Sequence, residues 1–124
     1  MRNTRGLSDI KHAQKESLLM REISTQLLKV ITDDPKLEGI HVTSVKLSPE
    51  KGRCTVFFSS YQGQDDFQAK LPQLILYKPS LRAALAKALQ ARYTPDLTFV
   101  YDEQQEKTEK TNLLIEKLKT EGRL

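Results

Sequence analysis

The apolar residues of this chain change their spacing along the sequence, and this change constrains the fold more than any other feature. From about Asp9 to Ile31 they recur with the period of a helix, about 3.6 residues, and the resulting stripe contains Leu19, Ile23, Leu27, Val30 and Ile31. We predict that this helix ends before Pro35, because proline disfavours helical geometry in the residue that precedes it.

Two extended segments follow the helix. In residues 41–48 (HVTSVKLS), Thr43, Val45 and Leu47 fall on one face of a strand, because side chains alternate in an extended chain. The turn sequence PEKG at 49–52 leads into a second predicted strand at 53–59 (RCTVFFS), so we expect a hairpin. A third strand is predicted much later, at 97–101 (LTFVY).

Two helical stripes lie between the second and third strands. Phe67, Leu71, Leu74 and Ile75 form the first stripe, and Pro72 lies inside it. Because proline is tolerated in the first turn of a helix, we predict that this helix starts late, near Leu71.

Pro79 is predicted to open the next helix, whose stripe contains Leu81, Ala84, Leu85, Ala88 and Leu89. The order helix, strand, strand, helix, helix, strand indicates an α+β fold with helices packed on one face of a three-stranded sheet. We expect a flexible basic lead-in at residues 1–8, a single domain at 9–102 and a charged C-terminal helix or tail at 103–124.

The composition favours a globular domain with an anionic partner. The 124 residues are enough for one domain, and 38% hydrophobic and 29% charged residues are typical of globular proteins. The net charge of +4 favours a polyanionic partner. A single cysteine fits a reducing cytosol, and no apolar run approaches the ~18 residues of a membrane span. We expect a cytoplasmic monomer that does not enter a membrane.

The sequence gives little support for an enzyme. It contains no phosphate-binding loop, dinucleotide-binding glycine motif, HExxH motif or CxxC motif. His12 and His41 lie in different elements, and Cys54 is expected to pack in the core. The acidic pairs at 33–34 and 65–66 lie at helix boundaries, where carboxylates more often cap helices than catalyse. We predict no catalytic residue, no metal, no cofactor and no small-molecule substrate.

The most distinctive functional signal is a basic stretch. Residues 67–95 contain no acidic residue but carry Lys70, Lys78, Arg82, Lys87 and Arg92. On a helix, Arg82 and Lys87 flank the face opposite the leucine stripe, and small residues lie between them. Small side chains allow another molecule to approach closely, while the flanking cations and the helix N-terminus favour phosphates. The stretch therefore predicts a nucleic-acid contact.

A second basic group near the N-terminus contains Lys11, Lys15, Arg2 and Arg5, and these residues complete the set of candidate nucleic-acid contacts. Both groups also have a simpler explanation, because a charged helix face is usually solvated. Arg92 in particular is favoured by the helix dipole near a helix C-terminus. The residues alone leave both explanations open.

Several stretches resemble the ribosome-binding factor A family over about residues 18–118. Residues 91–102 (ARYTPDLTFVYD) are similar to the family signature R-x-x-P-x-L-x-F-x-x-D, with matches at Arg92, Pro95, Leu97, Phe99 and Asp102. Glu22-Ile23 followed by DPKL at 34–37 resembles the pattern E-[IL]…D-P-[RK]-L. VTSV at 42–45, SPE at 48–50 and VF at 56–57 resemble the family's V-T-x-V…S-x-D…V-Y strands, with Glu50 in place of aspartate.

This resemblance implies a type II KH-like fold with the element order given above. It also implies a bacterial or organellar assembly factor that binds the immature small (30S) ribosomal subunit and contacts its 16S rRNA. Such a factor promotes late maturation and rRNA processing without catalysis. The family replaces the GXXG loop of KH domains with an Ala-x-Gly kink between its central helices. Here the corresponding residues are Tyr77, Lys78 and Pro79, so we expect the kink to come from Pro79.

Two alternative functions remain open at this stage. One is a generic KH-like module that binds single-stranded RNA, although an exposed aromatic platform or a GXXG clamp is not evident in the sequence. The other is a protein-interaction adaptor that uses the helix predicted at 103–124.

Overall fold

Four α-helices and three strands make up the described part of the chain. The computed structural model describes residues 2–90, 94–120 and 122. The elements in chain order are α1 (Arg2–Asp33), β1 (Ile40–Leu47), β2 (Arg53–Ser60), α2 (Gln64–Ile75), α3 (Lys78–Leu89), β3 (Asp96–Tyr101) and α4 (Glu103–Thr120). A short 3-10 helix, Pro35–Leu37, joins α1 to β1. The predicted order helix, strand, strand, helix, helix, strand is confirmed, with a helix appended after it.

The three strands form one sheet in the order β1-β2-β3. β1 and β2 pair antiparallel as the predicted hairpin, with Leu47 opposite Cys54. β2 and β3 pair in parallel, with Val56 opposite Phe99. Because a parallel pair needs a crossover connection, α2 and α3 run between these two strands.

The pairing register of β1 shifts at Thr43, which forms a β-bulge. The Thr43 hydroxyl donates to Asp102 Oδ2 (2.5 Å) and lies 3.2 Å from the carbonyl oxygen of Phe57. The bulge therefore ties β1 to the residue that follows β3. Of the three residues predicted to share one face of this strand, Val45 and Leu47 are buried and Thr43 is half-buried.

The core lies between one face of the sheet and the helices α1, α2 and α3. Its strand residues are Ile40, Val45, Leu47, Cys54, Val56, Phe58, Leu97, Phe99 and Tyr101. The α1 stripe is buried except for Ile31, which is partly buried. The ring centroid of Phe58 lies 5.6 Å from that of Phe67 on α2 and 5.1 Å from that of Phe99 on β3. Aromatic packing therefore joins the sheet to the helices.

Side chains of α1 contact the backbone of Leu47 at the free edge of β1. Glu16 Oε2 accepts a hydrogen bond from the Leu47 N–H (2.7 Å), and His12 Nε2 lies 2.8 Å from the Leu47 carbonyl oxygen. Because a carbonyl oxygen can only accept, His12 Nε2 carries the hydrogen. These contacts satisfy backbone groups that an edge strand would otherwise offer to another chain.

α1 begins earlier than the sequence predicted. Its helical backbone starts at Arg2, so the predicted start near Asp9 is wrong and residues 2–8, predicted as a lead-in, are helical. This segment contains no proline, and a helix already nucleated by its buried stripe can extend at low cost through Gly6.

α2 also begins earlier, at Gln64 rather than near Leu71, and Pro72 lies inside it. Proline has no N–H, so the carbonyl of Gln68 loses its helical partner; Gln68 is exposed, and water can take its place. The N-cap is Gly63, with φ of 94°, and the aspartates at 65–66 lie in the first turn instead of capping the helix.

α4 follows β3 and is largely solvated where its side chains are described. Leu113 and Leu114 are 65% and 57% exposed. Among the described helices, none combines the length and apolar character needed to cross a membrane.

Candidate nucleic-acid interface

α3 has a buried face and an exposed face. Leu81 and Leu85 are buried and Leu89 is partly buried, so the leucine stripe fixes α3 against the core. Successive residues of a helix are about 100° apart, which places Ala83 and Lys87 on the other side. Both are exposed. The predicted orientation of this helix, with leucines inward and charges outward, is confirmed.

Arg82 lies on the side of α3 that faces the start of β3. Its Nη2 is 3.2 Å from Asp96 Oδ1 and donates to the carbonyl oxygen of Thr94 at 3.2 Å. The Arg82 and Asp96 side chains are 44% and 78% exposed, so this ion pair contributes at most about 1 kcal/mol. The ion pair with Asp96 therefore leaves Arg82 exposed to solvent. A phosphate can displace the carboxylate from this position.

Lys78 begins α3 on the same side as Arg82. Its Nζ lies 5.2 Å from the centroid of the Phe99 ring, a cation–π distance. The Lys78 side chain is half-buried, so its charge is less accessible than that of Lys87. Lys78 and Arg82 thus form the β3-facing part of the basic surface.

The opposite side of α3 faces α1 across a groove of about 650 Å³, which we call the α1–α3 groove. Its lining residues are Glu22, Gln26, Ser80, Ala83, Ala84, Lys87 and Ala88. The alanines keep the groove open because each side chain is a single methyl group. Lys87 makes no ion pair with any side chain that the structure describes. Lys87 is therefore the most accessible cation of α3.

The N-terminal candidates belong to α1. Lys11 is exposed and Lys15 is half-buried. Both fall on the helix face that carries Glu22 and Gln26, because these four positions are related by nearly whole helical turns. They therefore extend the α1 wall of the groove along the helix. The candidates whose side chains lie outside the described residues are Arg2, Arg5 and Arg92.

A buried carboxylate fixes the joint between α2 and α3. Asp34 Oδ2 accepts hydrogen bonds from Gln73 Nε2 (2.6 Å), near the end of α2, and from the Tyr77 hydroxyl (2.9 Å), just before α3. These two hydrogen bonds stabilise the carboxylate and lower the pKa of Asp34. The same hydrogen bond to Asp34 raises the pKa of Tyr77. The joint is thereby tied to the end of α1.

The joint itself needs no glycine. Leu76 and Tyr77 separate the two helices, and Tyr77 stays close to right-handed helical geometry, with φ of −89° and ψ of −2°. Pro79 lies in the first turn of α3, as predicted, where its missing N–H costs nothing.

The residues considered for catalysis make contacts within the fold. His12 contacts the edge of β1, and the His41 ring lies 4.9 Å from the Tyr61 ring. Burial raises the pKa of the Cys54 thiol to about 11, with a smaller effect from the charge of Glu16. Among the described residues, no group of three or more His, Cys, Asp or Glu side chains could hold a metal ion.

Sequence reasoning missed the α1 side of the groove. In the sequence, Glu22 stands out only through its resemblance to the family pattern E-[IL], and Gln26 and Ser80 do not stand out. The apolar stripe of α1 gives the direction of the core, but it does not say which helix packs beside it. The groove can be predicted only when it is known that α3 packs beside α1.

This chain is similar to known proteins of one family. A sequence model of the family described as ribosome-binding factor A matches residues 11–115. The ribosome-binding factor A of Coxiella burnetii (strain Dugway 5J108-111) is 35% identical over 113 residues, which cover 90% of this chain and 85% of that protein.

Solved structures give the same result. The crystal structure of ribosome-binding factor A from Thermus thermophilus aligns with a TM-score of 0.63 and 26% identity, over 73% of this chain and 93% of that one. A homology model of the Thermus thermophilus protein, fitted into the cryo-EM map of its complex with the 30S subunit, aligns with a TM-score of 0.52 and 29% identity, over 73% of this chain and 89% of that one. The type II KH-like architecture is confirmed.

Proposed function

This chain belongs to the ribosome-binding factor A family, and on that premise we propose that it binds the small (30S) ribosomal subunit through 16S rRNA. In this proposal it promotes late maturation of the subunit and processing of its rRNA, acts as a cytoplasmic monomer and catalyses no reaction. The Thermus thermophilus relative that was fitted into the map of a 30S complex supports the choice of partner.

The observation that carries the proposal is the exposed face of α3. Lys87 is free of ion pairs among the described residues, Arg82 is held by the solvent-exposed Asp96 carboxylate and by the carbonyl oxygen of Thr94, and Ala83 lies between the two cations. A phosphate backbone can approach a surface of this kind closely, and each phosphate neutralised releases condensed counterions.

In the proposed complex, the cations of α3 contact the rRNA backbone and set the position of the domain. Arg82 exchanges the carboxylate of Asp96 for a phosphate, which its planar guanidinium can bind with two hydrogen bonds. Lys87 binds a second phosphate as a point charge, and Lys78 supplies weaker attraction from beside Phe99. The flanking contacts come from Arg92, Lys11, Lys15, Arg2 and Arg5.

The salt dependence of subunit binding tests this proposal. We expect Arg82→Gln with Lys87→Gln to weaken binding to immature small subunits and to reduce the slope of log K against log salt by about 1.8, since each duplex phosphate contact contributes about 0.9. The matched control is Lys46→Gln with Arg53→Gln, which removes the same charges from exposed positions of β1 and β2. Equal slopes for the two double variants would show that α3 is not the binding face.

The affinity for a short unpaired RNA distinguishes the proposed function from that of a generic single-strand-binding module. The proposed function predicts that the subunit binds much more tightly than a short single strand of unrelated sequence. Equal affinities for both would instead identify a general single-strand-binding module.

A further inference from the structure

The α1–α3 groove brings together polar side chains that the fold itself does not use. Glu22 and Gln26 enter it from α1, and Ser80 and Lys87 enter it from α3. Among the described residues, none of these four side chains takes part in a hydrogen bond or an ion pair, whereas Arg82 on the other side of α3 does both. A groove of about 650 Å³ lies within the ~300–1,000 Å³ typical of pockets that bind small organic groups.

Glu22 is the unexpected member of this group. A carboxylate beside an RNA-binding helix repels phosphates, so its presence there is unfavourable if the groove contacts backbone alone. An ionised carboxylate can only accept hydrogen bonds. A ligand that makes Glu22 favourable must therefore present N–H or O–H donors, and in RNA these are the donors on the base edges and the ribose.

Guanine fits a carboxylate best among the four bases. Its Watson–Crick edge places N1–H beside the N2 amino group, so two parallel hydrogen bonds can reach the two oxygens of one carboxylate. The corresponding edges of adenine, cytosine and uracil each offer a donor from a single nitrogen. Such an edge is accessible only in an unpaired nucleotide, which is how proteins usually read RNA sequence.

The other side chains of the groove suit the rest of a nucleotide. Ala84 and Ala88 are half-buried and supply methyl groups on which the flat face of a base can pack. Lys87 carries only donors and is exposed, so it can bind a phosphate at the mouth of the groove. The groove thus offers an acceptor, an apolar surface and a cation in one place.

We propose that the α1–α3 groove binds an unpaired guanosine of the rRNA, with Glu22 accepting hydrogen bonds from N1–H and N2–H and Lys87 contacting the adjacent phosphate. This inference rests on the proposed function, because it assumes that α3 contacts RNA. It adds base recognition to a surface that would otherwise bind only backbone, and it gives the domain a defined register on its target.

The sign of the effect of Glu22→Gln on subunit binding tests the proposal. Removal of a negative charge from a surface that contacts only phosphates would strengthen binding. Loss of a bidentate contact to guanine weakens it, and we expect about a tenfold loss of affinity. The matched control is Glu38→Gln, which removes an exposed carboxylate outside the groove and is expected to leave affinity unchanged. Unchanged or tighter binding by Glu22→Gln would overturn the proposal.

Short unpaired RNAs with one variable position test the identity of the base. The wild-type protein is expected to bind the guanosine RNA about tenfold more tightly than the adenosine RNA. Inosine, which lacks the N2 amino group, is expected to fall between them, and Glu22→Gln is expected to lose the preference. Equal binding of the three RNAs by the wild-type protein would exclude guanosine recognition.

These results separate the inference from the function on which it rests. If the Arg82 and Lys87 variants reduce the salt slope while Glu22→Gln does not weaken binding, the inference fails and the proposed function stands. If the wild-type protein does not bind small subunits, the proposed function fails and base recognition fails with it. Equal unfolding midpoints of wild type and Glu22→Gln exclude a folding defect as the cause.

Discussion

Truncation of Leu85 to alanine tests whether α3 is held to the core as described. Leu85 has no exposed surface and is one of two fully or nearly fully buried leucines of this helix. Leu→Ala at a buried position costs about 2–5 kcal/mol, through lost burial and the cavity that remains. A domain of this size has a total stability on the order of 6–15 kcal/mol, so the variant loses a large fraction of it.

The expected shift in melting temperature follows from the same numbers. The entropy of unfolding is about 2.1 cal/mol/K per residue, or about 0.26 kcal/mol/K for this chain, so a loss of about 3 kcal/mol lowers Tm by about 12 °C. Thermal unfolding followed by circular dichroism measures this shift, and urea unfolding measures the free energy directly.

Leu76→Ala is the matched control. Leu76 lies between α2 and α3 and is 70% exposed, so its truncation is expected to change the free energy of unfolding by no more than about 0.5 kcal/mol. A cost below about 1 kcal/mol for Leu85→Ala, or equal costs for the two variants, would refute the packing of α3 described above.

Two further predictions concern titratable groups. The hydrogen bonds from Gln73 and Tyr77 lower the pKa of Asp34, so its carboxylate contributes stability that is complete above its unfolded pKa and is lost as pH falls through the lower native value. Wild type is therefore expected to exceed Asp34→Asn in urea-unfolding free energy at pH 7, with a gap that narrows below pH ~4; a gap independent of pH would contradict this. Burial raises the pKa of Cys54 to about 11, so we expect a thiol reagent at pH 8 to label it about a hundredfold more slowly in the folded than in the urea-unfolded protein. Rapid labelling of the folded protein would show that Cys54 is accessible.

The sequence predicts the element order of this fold because a helix or strand that buries one face repeats its apolar residues at a fixed spacing. Leu85 and Val56, for example, lie in patterns of about 3.6 and 2 residues that leave little choice between helix and strand. Pro72 shows where local rules fail. Proline disfavours a helix interior, yet the burial of Phe67 on the same helix offsets that cost and the helix extends around the proline.

The candidate site is predictable only in part, because some of its contacts join elements that are distant in the sequence. The outward direction of Lys87 follows from its position relative to the leucine stripe, which lies within the same helix. The pairing of Arg82 with Asp96 and the approach of Glu22 to α3 depend on elements that are distant in the sequence. Asp34 and Tyr77 are likewise joined across the fold, so their hydrogen bond has no local signal.

Sedimentation of extracts from cells that carry either the wild-type protein or the Arg82→Gln, Lys87→Gln variant tests the central claim most directly. The wild-type protein is expected to migrate with free small subunits and to be absent from translating ribosomes, because maturation precedes translation. The double variant is expected to shift to the top of the gradient, while the Lys46→Gln, Arg53→Gln control remains with the subunits. A wild-type protein that stays at the top, or a double variant that sediments with the subunits as the wild type does, would contradict the account.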